Sequence, residues 1–414
     1  MEKKKLRILG FKANDGGCAY YRMIMPFEKL AELYSDEVEV RLDDNPLGMD
    51  VKTGQWIPNW TFENMKWADV IIINNISNFG GNYAARVAGK AKEFGKFLQM
   101  DTDDLLTGLY KEHRLSDVYH DKNLGGITKF IYSNCDLVTV TQKKFAVRIQ
   151  EFIRGILAVV KNSIDYELPC WNHDKIKNKR VRVGWAGGIH HDVDVKEFAG
   201  VPHIVNQKVG AENVQWDFYG QPPVEDGKKD DWQQDVWRGY KRELLRGFKG
   251  HKNWLVHQAL PPNSYGIMYA NMDIAIAPLQ MNDFNDSKSE IKVAEAGRYR
   301  MPLIASNVGC YDETIKNGYT GYLLPPGATR TQWARILTKV IKEKKHRIEM
   351  GNNLHKITEQ YFDINKVVYR RIDLYEECFK KLKFDPREDR RFEDELKKIE
   401  EDRQKNEEVQ SQDN

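Results

Sequence analysis

The chain has 414 residues, of which 41% are hydrophobic and 30% are charged, and its formal net charge is +3. This length exceeds what one hydrophobic core usually organises and therefore predicts two folded domains. The longest apolar runs, such as Val70–Ile73 and Ile274–Ala277, are strand-sized. A membrane-spanning helix needs ~20 apolar residues, so no segment is expected to cross a membrane.

The start of the chain and the pattern of cysteines predict where in the cell the protein is located. Three lysines precede a short apolar run at the start of the chain, which fits a first β-strand better than a signal peptide. The cysteines are odd in number, scattered and without CxxC spacing, which favours free thiols over a disulfide framework or a zinc site. We therefore expect an intracellular, cytoplasmic protein.

Apolar, β-rich runs alternate with helix-period segments, which predicts an α/β fold with parallel sheets and helices on both faces. The strands expected in the first domain are Arg7–Phe11, Val70–Ile73, Phe97–Met100 and Leu137–Val140. Those expected in the second domain are Val181–Gly187, Trp216–Gly220, Trp254–His257, Ile274–Pro278, Leu303–Ser306 and Gly321–Leu324.

The polar stretch Asn162–Lys179 contains Pro169 and predicts the domain boundary. After Asn365, apolar residues at helical spacing predict a helix that docks back onto a domain. The expected units are a Rossmann-like domain in residues 1–165, a second Rossmann-like domain in 166–362, the docking helix in 363–385 and a charged tail in 386–414.

The tail has eleven acidic and seven basic residues, which leaves a net charge of +7 on the rest of the chain. That positive excess suits a protein that handles phosphates or anionic acceptors. The tail offers few apolar residues, so we expect a solvated, partly frayed helix, with a helix that binds a protein partner as the alternative.

The most informative segment, Ile274–Ser306, has the pattern strand, loop, helix, strand. Its loop leaves the carboxyl edge of a parallel strand, where open α/β sheets bind ligands. Ser287 or Ser289 can cap the helix, and the free amides of its first turn attract phosphate oxygens.

Lys288, Lys292 and Glu295 share one face of that helix because they are four and three residues apart. The cations could serve a diphosphate and the carboxylate a ribose hydroxyl. An ordinary capped helix with a Lys292–Glu295 ion pair fits the spacing equally well.

The run Pro278–Ser306, continued by Asn307–Leu324, resembles the donor-binding signature of retaining GT-B glycosyltransferases of the family-four type, glycosyl transferases group 1, including viral or phage-like members. Glu295-Ala296, Pro302–Ser306 and Asn317–Gly321 match the family pattern. The resemblance extends weakly over residues 1 to about 380. It implies two Rossmann-like domains facing across a cleft, with the acceptor on the first and the nucleotide-sugar donor on the second.

By resemblance, Glu295 binds the ribose of the donor. The backbone amides that would hold the diphosphate are those of Ser289, Glu290 and Ile291. The family's first acidic residue falls at Ser287 here, where Lys288 and Ser289 offer different polar groups.

Gly187 and Gly188 directly follow a predicted strand and could let backbone approach a phosphate. The family usually places an arginine and a lysine nearby, whereas this sequence has His190 and His191. We therefore expect imidazolium groups and the two lysines of the donor helix to stabilise the leaving diphosphate. A metal site at the His-His-Asp string is a weaker alternative, since adjacent histidines in an extended segment point opposite ways.

Residues 14–22 follow the first strand, and their paired glycines, Gly16 and Gly17, match the family's loop between donor and acceptor. A plain strand-to-helix turn would also use glycine. Arg22 is expected to face the cleft on the acceptor side, where it could contact an acceptor or a phosphate.

Three carboxylates stand at the end of another predicted strand, Asp101, Asp103 and Asp104. In GT-B relatives this strand end carries a histidine near the reacting sugar, so Asp101 is the candidate there, with Asp103 on the acceptor side. Close carboxylates raise one another's pKa, which can leave one able to accept a proton. Helix capping by Asp103 and Asp104 is the alternative.

These observations and the resemblance together predict a glycosyltransferase of the hexosyltransferase type that uses a UDP-sugar. Retention of the anomeric configuration and activity without a metal or other cofactor are implied by the resemblance alone. Its catalytic residues would be Asp101, Lys288 and Lys292. The acceptor would be a glycan or lipid-linked sugar, or a modified nucleic-acid base. A nucleotide-sugar epimerase and a non-catalytic scaffold remain alternatives, the latter favoured by the absence of an acidic residue at Ser287.

Overall fold

The computed structural model describes residues 4–12, 16–50, 52–75, 81–223, 232–248 and 250–412. It contains two sheets, each of six parallel strands. The strands of the first sheet are β1 Leu6–Lys12, β2 Val38–Asp43, β3 Val70–Asn74, β4 Phe97–Asp101, β5 Leu137–Val140 and β6 Ile156–Val159. Those of the second are β7 Val181–Ala186, β8 Val214–Gln221, β9 Trp254–Gln258, β10 Ile274–Ala277, β11 Leu303–Ser306 and β12 Gly321–Leu324.

Helices connect the strands of both sheets. Those up to β7 are α1 Gly17–Ala19, α2 Met25–Leu33, α3 Glu63–Trp67, α4 Gly81–Glu93, α5 Ser116–Asp121, α6 Leu124–Asn134 and α7 Lys143–Ile149, with a π-helical turn at Tyr20–Ile24. Those from β7 to β12 are α8 Asp194–Glu197, α9 Val201–Val209, α10 Trp232–Leu244, α11 Ile267–Ala270, α12 Asp283–Asp286, α13 Ile291–Arg298 and α14 Tyr311–Thr314. The remainder are α15 Arg330–Lys342, α16 Lys344–Tyr361, α17 Ile364–Val367, α18 Arg370–Leu382 and α19 Glu393–Gln412. Among the described helices, none is long and apolar enough to cross a bilayer.

The strand order places a crevice at one edge of each sheet. The orders are β2-β1-β3-β4-β5-β6 and β12-β11-β10-β7-β8-β9. Chain direction along the sheet reverses between β1 and β3 in the first and between β7 and β10 in the second, and ligands of open α/β sheets bind at such points. The predicted α/β architecture of two Rossmann-like units is confirmed.

All ten predicted strands are present, and two edge strands, β2 and β6, were not predicted. Central strands such as β3 and β10 are buried along their whole length, so they appear in the sequence as continuous apolar runs. β2 lies at a sheet edge and carries charged residues, as its sequence Val-Glu-Val-Arg-Leu-Asp shows. A half-exposed edge strand of mixed sequence gives a weaker apolar signal, which explains why β2 was not predicted. β6 has the apolar sequence Ile-Leu-Ala-Val, so this explanation does not extend to it.

The C-terminal helix α18 docks onto the first domain, as the sequence predicted. Its Tyr375 donates from Oη to Gln99 Oε1 at 2.6 Å, and the ring of Phe379 lies edge-on to Phe97 with centroids 5.1 Å apart. The chain returns to the first domain next to the segment by which it leaves that domain. Ile164 N–H donates to the Phe362 carbonyl, and Ile364 N–H donates to the Ile164 carbonyl.

The expectation of a solvated tail is wrong for the beginning of the tail. Arg390 pairs with Asp69 at 2.7 Å, and the Asp69 side chain has no solvent exposure. Phe392 packs edge-on against Phe94, with ring centroids 5.2 Å apart. The beginning of the tail therefore packs against the core of the first domain, because the Phe392 ring is partly buried there and Arg390 neutralises a buried carboxylate.

Candidate functional site

A cavity of about 520 Å³ lies between the two sheets and is lined by both domains. The first domain contributes the loop after β1 and the loop after β4. The second contributes the loops after β7 and β10 and the start of α13. These are the strand ends that flank the reversal point of the second sheet, so the cavity lies where this topology favours a ligand.

Glu295 and Lys292 project from α13 into this cavity. Glu295 is only 1% exposed, and its Oε2 accepts from Lys292 Nζ at 2.8 Å and from the hydroxyl of Tyr269. Lys292 Nζ also lies 3.1 Å from Tyr265 Oη. Burial alone would lower the pKa of Lys292, but the charge of Glu295 outweighs it and the pKa is raised. The predicted intrahelical ion pair thus exists and also faces the cleft.

The start of α13 is presented to the cavity by Ser289 and Ile291. Ser289 Oγ accepts from Asn162 Nδ2 at 2.9 Å, which ties this turn to the first domain. Glu290 contributes no side chain to the cavity, since its carboxylate is 2% exposed and bonds Lys161 Nζ at 2.6 Å. Only backbone of Glu290 is left to serve a ligand.

Ser287 does not reach the cavity. It is fully buried, and its hydroxyl donates to the Asp283 carbonyl at 2.8 Å. The predicted contact of this side chain with a donor is therefore incorrect, because a short helix, α12, places the hydroxyl against its own backbone.

Lys288 takes the neighbouring position in the cavity wall. Its Nζ lies 3.7 Å from Asp104 Oδ1 of the first domain and 4.5 Å from the centre of the Phe284 ring. Burial would lower the pKa of Lys288, but the charges of Asp104 and Asp194 outweigh burial and raise it. A permanent positive charge therefore stands at the cleft.

The two glycines after β7 have different surroundings. A Cβ at Gly187 would lie 2.4 Å from the Trp185 ring, so only glycine fits there. Gly188 lines the cavity, and a Cβ added to it would meet no atom within 4 Å. Backbone of Gly188 is thus open to a ligand, whereas Gly187 shapes the turn.

His190 and His191 both line the cavity, but imidazolium stabilisation by His190 is not supported. Burial, then the charges of His191 and Lys288, lower the pKa of His190 below its ordinary value. Its ring stacks on the ring of His113. Burial, followed by the charge of His190, lowers the pKa of His113 to about 4. Both shifts favour the neutral form of the ring at pH 7. His191 Nδ1 lies 2.7 Å from Asp194 Oδ2, which fixes its orientation.

The loop after β1 brings Gly17, Cys18 and Tyr21 to the cavity. Gly17 begins α1, and a Cβ there would meet no atom within 4 Å. Asn14 and Asp15 of the predicted motif lie outside the described residues.

Arg22 and Asp101 do not occupy the predicted positions in the cleft. Both side chains have no solvent exposure, and the guanidinium donates from Nε and Nη2 to the two carboxylate oxygens at 2.7 and 2.8 Å. Thr139 Oγ1 donates to the same carboxylate at 2.7 Å. Asp101 is therefore a structural counter-ion in this structure, because its two oxygens accept three hydrogen bonds and its side chain has no solvent exposure.

Asp103, two residues on, is the carboxylate that lines the cavity with Asp104. Its Oδ1 accepts from Asn75 Nδ2 at 3.1 Å. Burial and the charge of Asp104 raise the pKa of Asp103 to about 6. One ligand atom each from Cys18, Asp103 and Asp104 lie within 4.8 Å of one another, and Lys288 supplies positive charge beside them. Of the three carboxylates, Asp103 thus combines a place in the cavity wall with a raised pKa.

Sequence reasoning missed three residues that line the cavity, Tyr21, Asn162 and Tyr265. It also missed His113, which stacks on His190. They carry no motif and come from loops far apart in the chain. Tyrosines beside a glycine-rich loop were the one visible signal, and spacing alone does not distinguish them from core residues.

Comparison with known families agrees with this geometry. Residues 240–357 match the family model described as glycosyl transferases group 1. This range contains β10, α13, β11 and β12, which lie on the second-domain side of the cavity. No curated protein sequence matches the chain significantly.

Solved structures share the fold at low sequence identity. Sucrose-phosphate synthase from Thermosynechococcus elongatus is 14% identical with a TM-score of 0.65, covering 91% of this chain and 99% of that one. HepE from Anabaena, solved with UDP and glucose, is 16% identical with a TM-score of 0.58, covering 90% and 100%. A glycosyltransferase from Rickettsia africae is 12% identical with a TM-score of 0.60, covering 91% and 100%. The chain is thus a GT-B fold protein that carries the glycosyl transferases group 1 signature in its second domain.

Proposed function

We propose that the protein transfers a sugar from a nucleotide sugar to an acceptor hydroxyl. The observation that carries this proposal is the buried Glu295–Lys292 pair at the start of α13, open to a cavity between the two domains. A carboxylate at this place can accept from ribose hydroxyls, and the positive end of a helix attracts phosphate. UDP is the nucleotide we favour, because HepE was solved with UDP and glucose.

Transfer breaks the bond between the anomeric carbon and a phosphate oxygen, and that electron pair leaves as negative charge on the nucleoside diphosphate. Lys288, Ser289 and Ile291 line the cavity, and we assign the charge of Lys288 and the backbone amides of Ser289 and Ile291 to the stabilisation of this negative charge. Preorganised positive groups in a site shielded from water stabilise such charge strongly. The new bond forms between the anomeric carbon and the acceptor oxygen, with retention of configuration, as in the resembling family.

The acceptor hydroxyl must lose its proton as that bond forms. Asp103 is the group we assign to receive it, either directly or through the leaving phosphate, since its pKa of about 6 is near the working pH. Asp103 lies on the first domain, opposite the donor helix. This placement supports an acceptor, which we propose to be a carbohydrate, on the first-domain side.

Ion pairs across the cleft hold the two domains closed. Arg148 and Lys144 of the first domain both reach Asp286 of the second at 3.0 Å, and Arg114 reaches Asp192 at 2.7 Å. A closed cleft excludes water that would otherwise hydrolyse the donor. Substrate exchange then requires these pairs to separate.

The experiment that tests the proposal is a panel of nucleotide sugars, each incubated with pure protein without acceptor. Thermal stabilisation together with slow release of a nucleoside diphosphate by one donor is the expected result. Conversion of the sugar without release would indicate an epimerase instead. No stabilisation by any donor would contradict nucleotide-sugar binding and favour a non-catalytic protein.

A further inference from the structure

The hydroxyl of Tyr21 is buried in the cavity wall without a partner. Tyr21 is 9% exposed, lines the cavity, and its Oη has no hydrogen bond to the described residues. It lies on the π-helical turn Tyr20–Ile24 that follows the glycine loop. Such turns occur often at functional sites, because the wider turn redirects side chains.

A buried hydroxyl without a partner costs about 1–3 kcal/mol relative to a satisfied one. Phenylalanine would fill the same volume without that cost. The presence of a hydroxyl here therefore indicates that another molecule forms a hydrogen bond with it.

Glu295 lines the same cavity from the second domain and is a binding group with free capacity. Its Oε2 is occupied by Lys292 and Tyr269, while no hydrogen bond within the described chain reaches its Oε1. Burial, followed by the charge of Glu295, raises the pKa of Tyr21, which places the two groups within electrostatic range. One donor hydroxyl and one acceptor oxygen thus flank the same space.

We propose that Tyr21 Oη and Glu295 Oε1 together bind the vicinal diol of the donor's ribose. One ribose hydroxyl donates to Glu295 Oε1, and the Tyr21 hydroxyl donates to an oxygen of the same diol, since each sugar hydroxyl both donates and accepts. This inference rests on the proposed function and adds to it a contact to the nucleotide from the first domain. Donor binding and closure of the cleft are then linked, because the two partners of the diol belong to different domains.

The test is the dissociation constant of UDP, or of the nucleoside diphosphate of the best donor in the panel, measured by calorimetry. Tyr21→Phe should weaken binding about tenfold, the loss expected for one hydrogen bond. The variant without ligand should unfold at the same denaturant concentration as the wild type or higher, because the removed hydroxyl has no protein partner. A lower midpoint would show a structural role instead. Tyr20→Phe, on the same turn but outside the cavity wall, is the matched control and should bind like wild type.

Deoxynucleotides identify the group that Tyr21 contacts. With 2′-deoxy or 3′-deoxy UDP, the penalty of Tyr21→Phe should vanish for the ligand that lacks the contacted hydroxyl. Equal binding of UDP by wild type and Tyr21→Phe, or an equal penalty with both deoxy ligands, would overturn the inference and leave the proposed function intact. Failure of the wild type to bind any nucleoside diphosphate would overturn both.

Discussion

Arg22 and Asp101 form a two-bond ion pair in which neither side chain has any solvent exposure. Arg22 also donates to the Val160 carbonyl at 2.6 Å and to Asn162 Oδ1 at 3.0 Å. Asn162 in turn bonds Ser289 at the start of α13. The pair therefore anchors the segment that leads from the first domain to the donor helix.

Asp101→Asn should lower the free energy of unfolding by about 3–5 kcal/mol, because it leaves the Arg22 charge buried without a counter-ion. Denaturant unfolding measures this change. The double variant Arg22→Met/Asp101→Leu should cost less than the sum of the two single changes, since neither member of the pair is left as an unpaired buried charge, although Arg371, whose Nη1 lies 3.9 Å from Asp101 Oδ2, still loses that contact. Unchanged stability with lost turnover would instead restore Asp101 as a catalytic group.

Glu295→Gln should weaken binding of the nucleoside diphosphate roughly tenfold or more, the effect expected when a charged hydrogen-bond acceptor is removed. Calorimetric titration is the measurement. Glu377→Gln, which breaks an exposed pair with Arg370 on α18, is the matched control. Equal losses in the two variants would contradict a specific role for Glu295.

Lys288→Met should reduce kcat by about 10²-fold with a smaller change in KM, since its charge acts mainly on the leaving diphosphate. Steady-state release of nucleoside diphosphate measures both constants. The control Lys366→Met removes an exposed cation on α17 and should leave both unchanged. A change in KM alone would mean that Lys288 binds the ground state and the transition state equally.

The raised pKa of Asp103 predicts how the rate of transfer depends on pH. Transfer should fall as the pH is lowered through about 6, because the carboxylate must be ionised to accept a proton. This limb of the pH–rate profile should be lost in Asp103→Asn, along with most of the activity. An unchanged limb in the variant would assign the ionisation to another group.

The same shift fixes the sign of a stability effect. The pKa of Asp103 in the folded protein, about 6, exceeds the ordinary value of ~3.9. The folded state therefore binds this proton more tightly than the unfolded state does. The stabilisation from this carboxyl is full below pH ~4 and lost as the pH rises through 6. Asp103→Asn should therefore be more stable than wild type at pH 7.5, and the difference should shrink toward pH 5 in thermal unfolding.

Arg390→Met should destabilise the protein by about 3–5 kcal/mol, because Asp69 has no solvent exposure and would lose its counter-ion. Denaturant unfolding of the full chain checks this. Glu395→Gln breaks the more exposed pair with Lys66 and should cost less than about 1 kcal/mol. A free, solvated tail would make both changes equally silent.

The strands and the donor segment could be predicted from the sequence because their signals are local. Strands such as β3 and β10 are buried throughout and so form uninterrupted apolar runs. Lys292 and Glu295 lie one helical turn apart, and their ion pair follows from that spacing. Even here, only the fold decided that this helix face meets a cavity.

The choice among the carboxylates after β4 could not be made from the sequence. Asp101 and Asp103 are two residues apart in the sequence. Asp101 is buried in an ion pair with Arg22, 79 residues away, whereas Asp103 lines the cavity. The proposed role of Tyr21 likewise depends on Glu295, which lines the same cavity from the other domain. The sequence by itself determined the two parallel sheets and the chemistry of the donor helix, since periodicity and spacing are short-range. Tertiary structure alone decided which charges are neutralised and which face the cleft, because burial and pairing join residues that are distant in the chain.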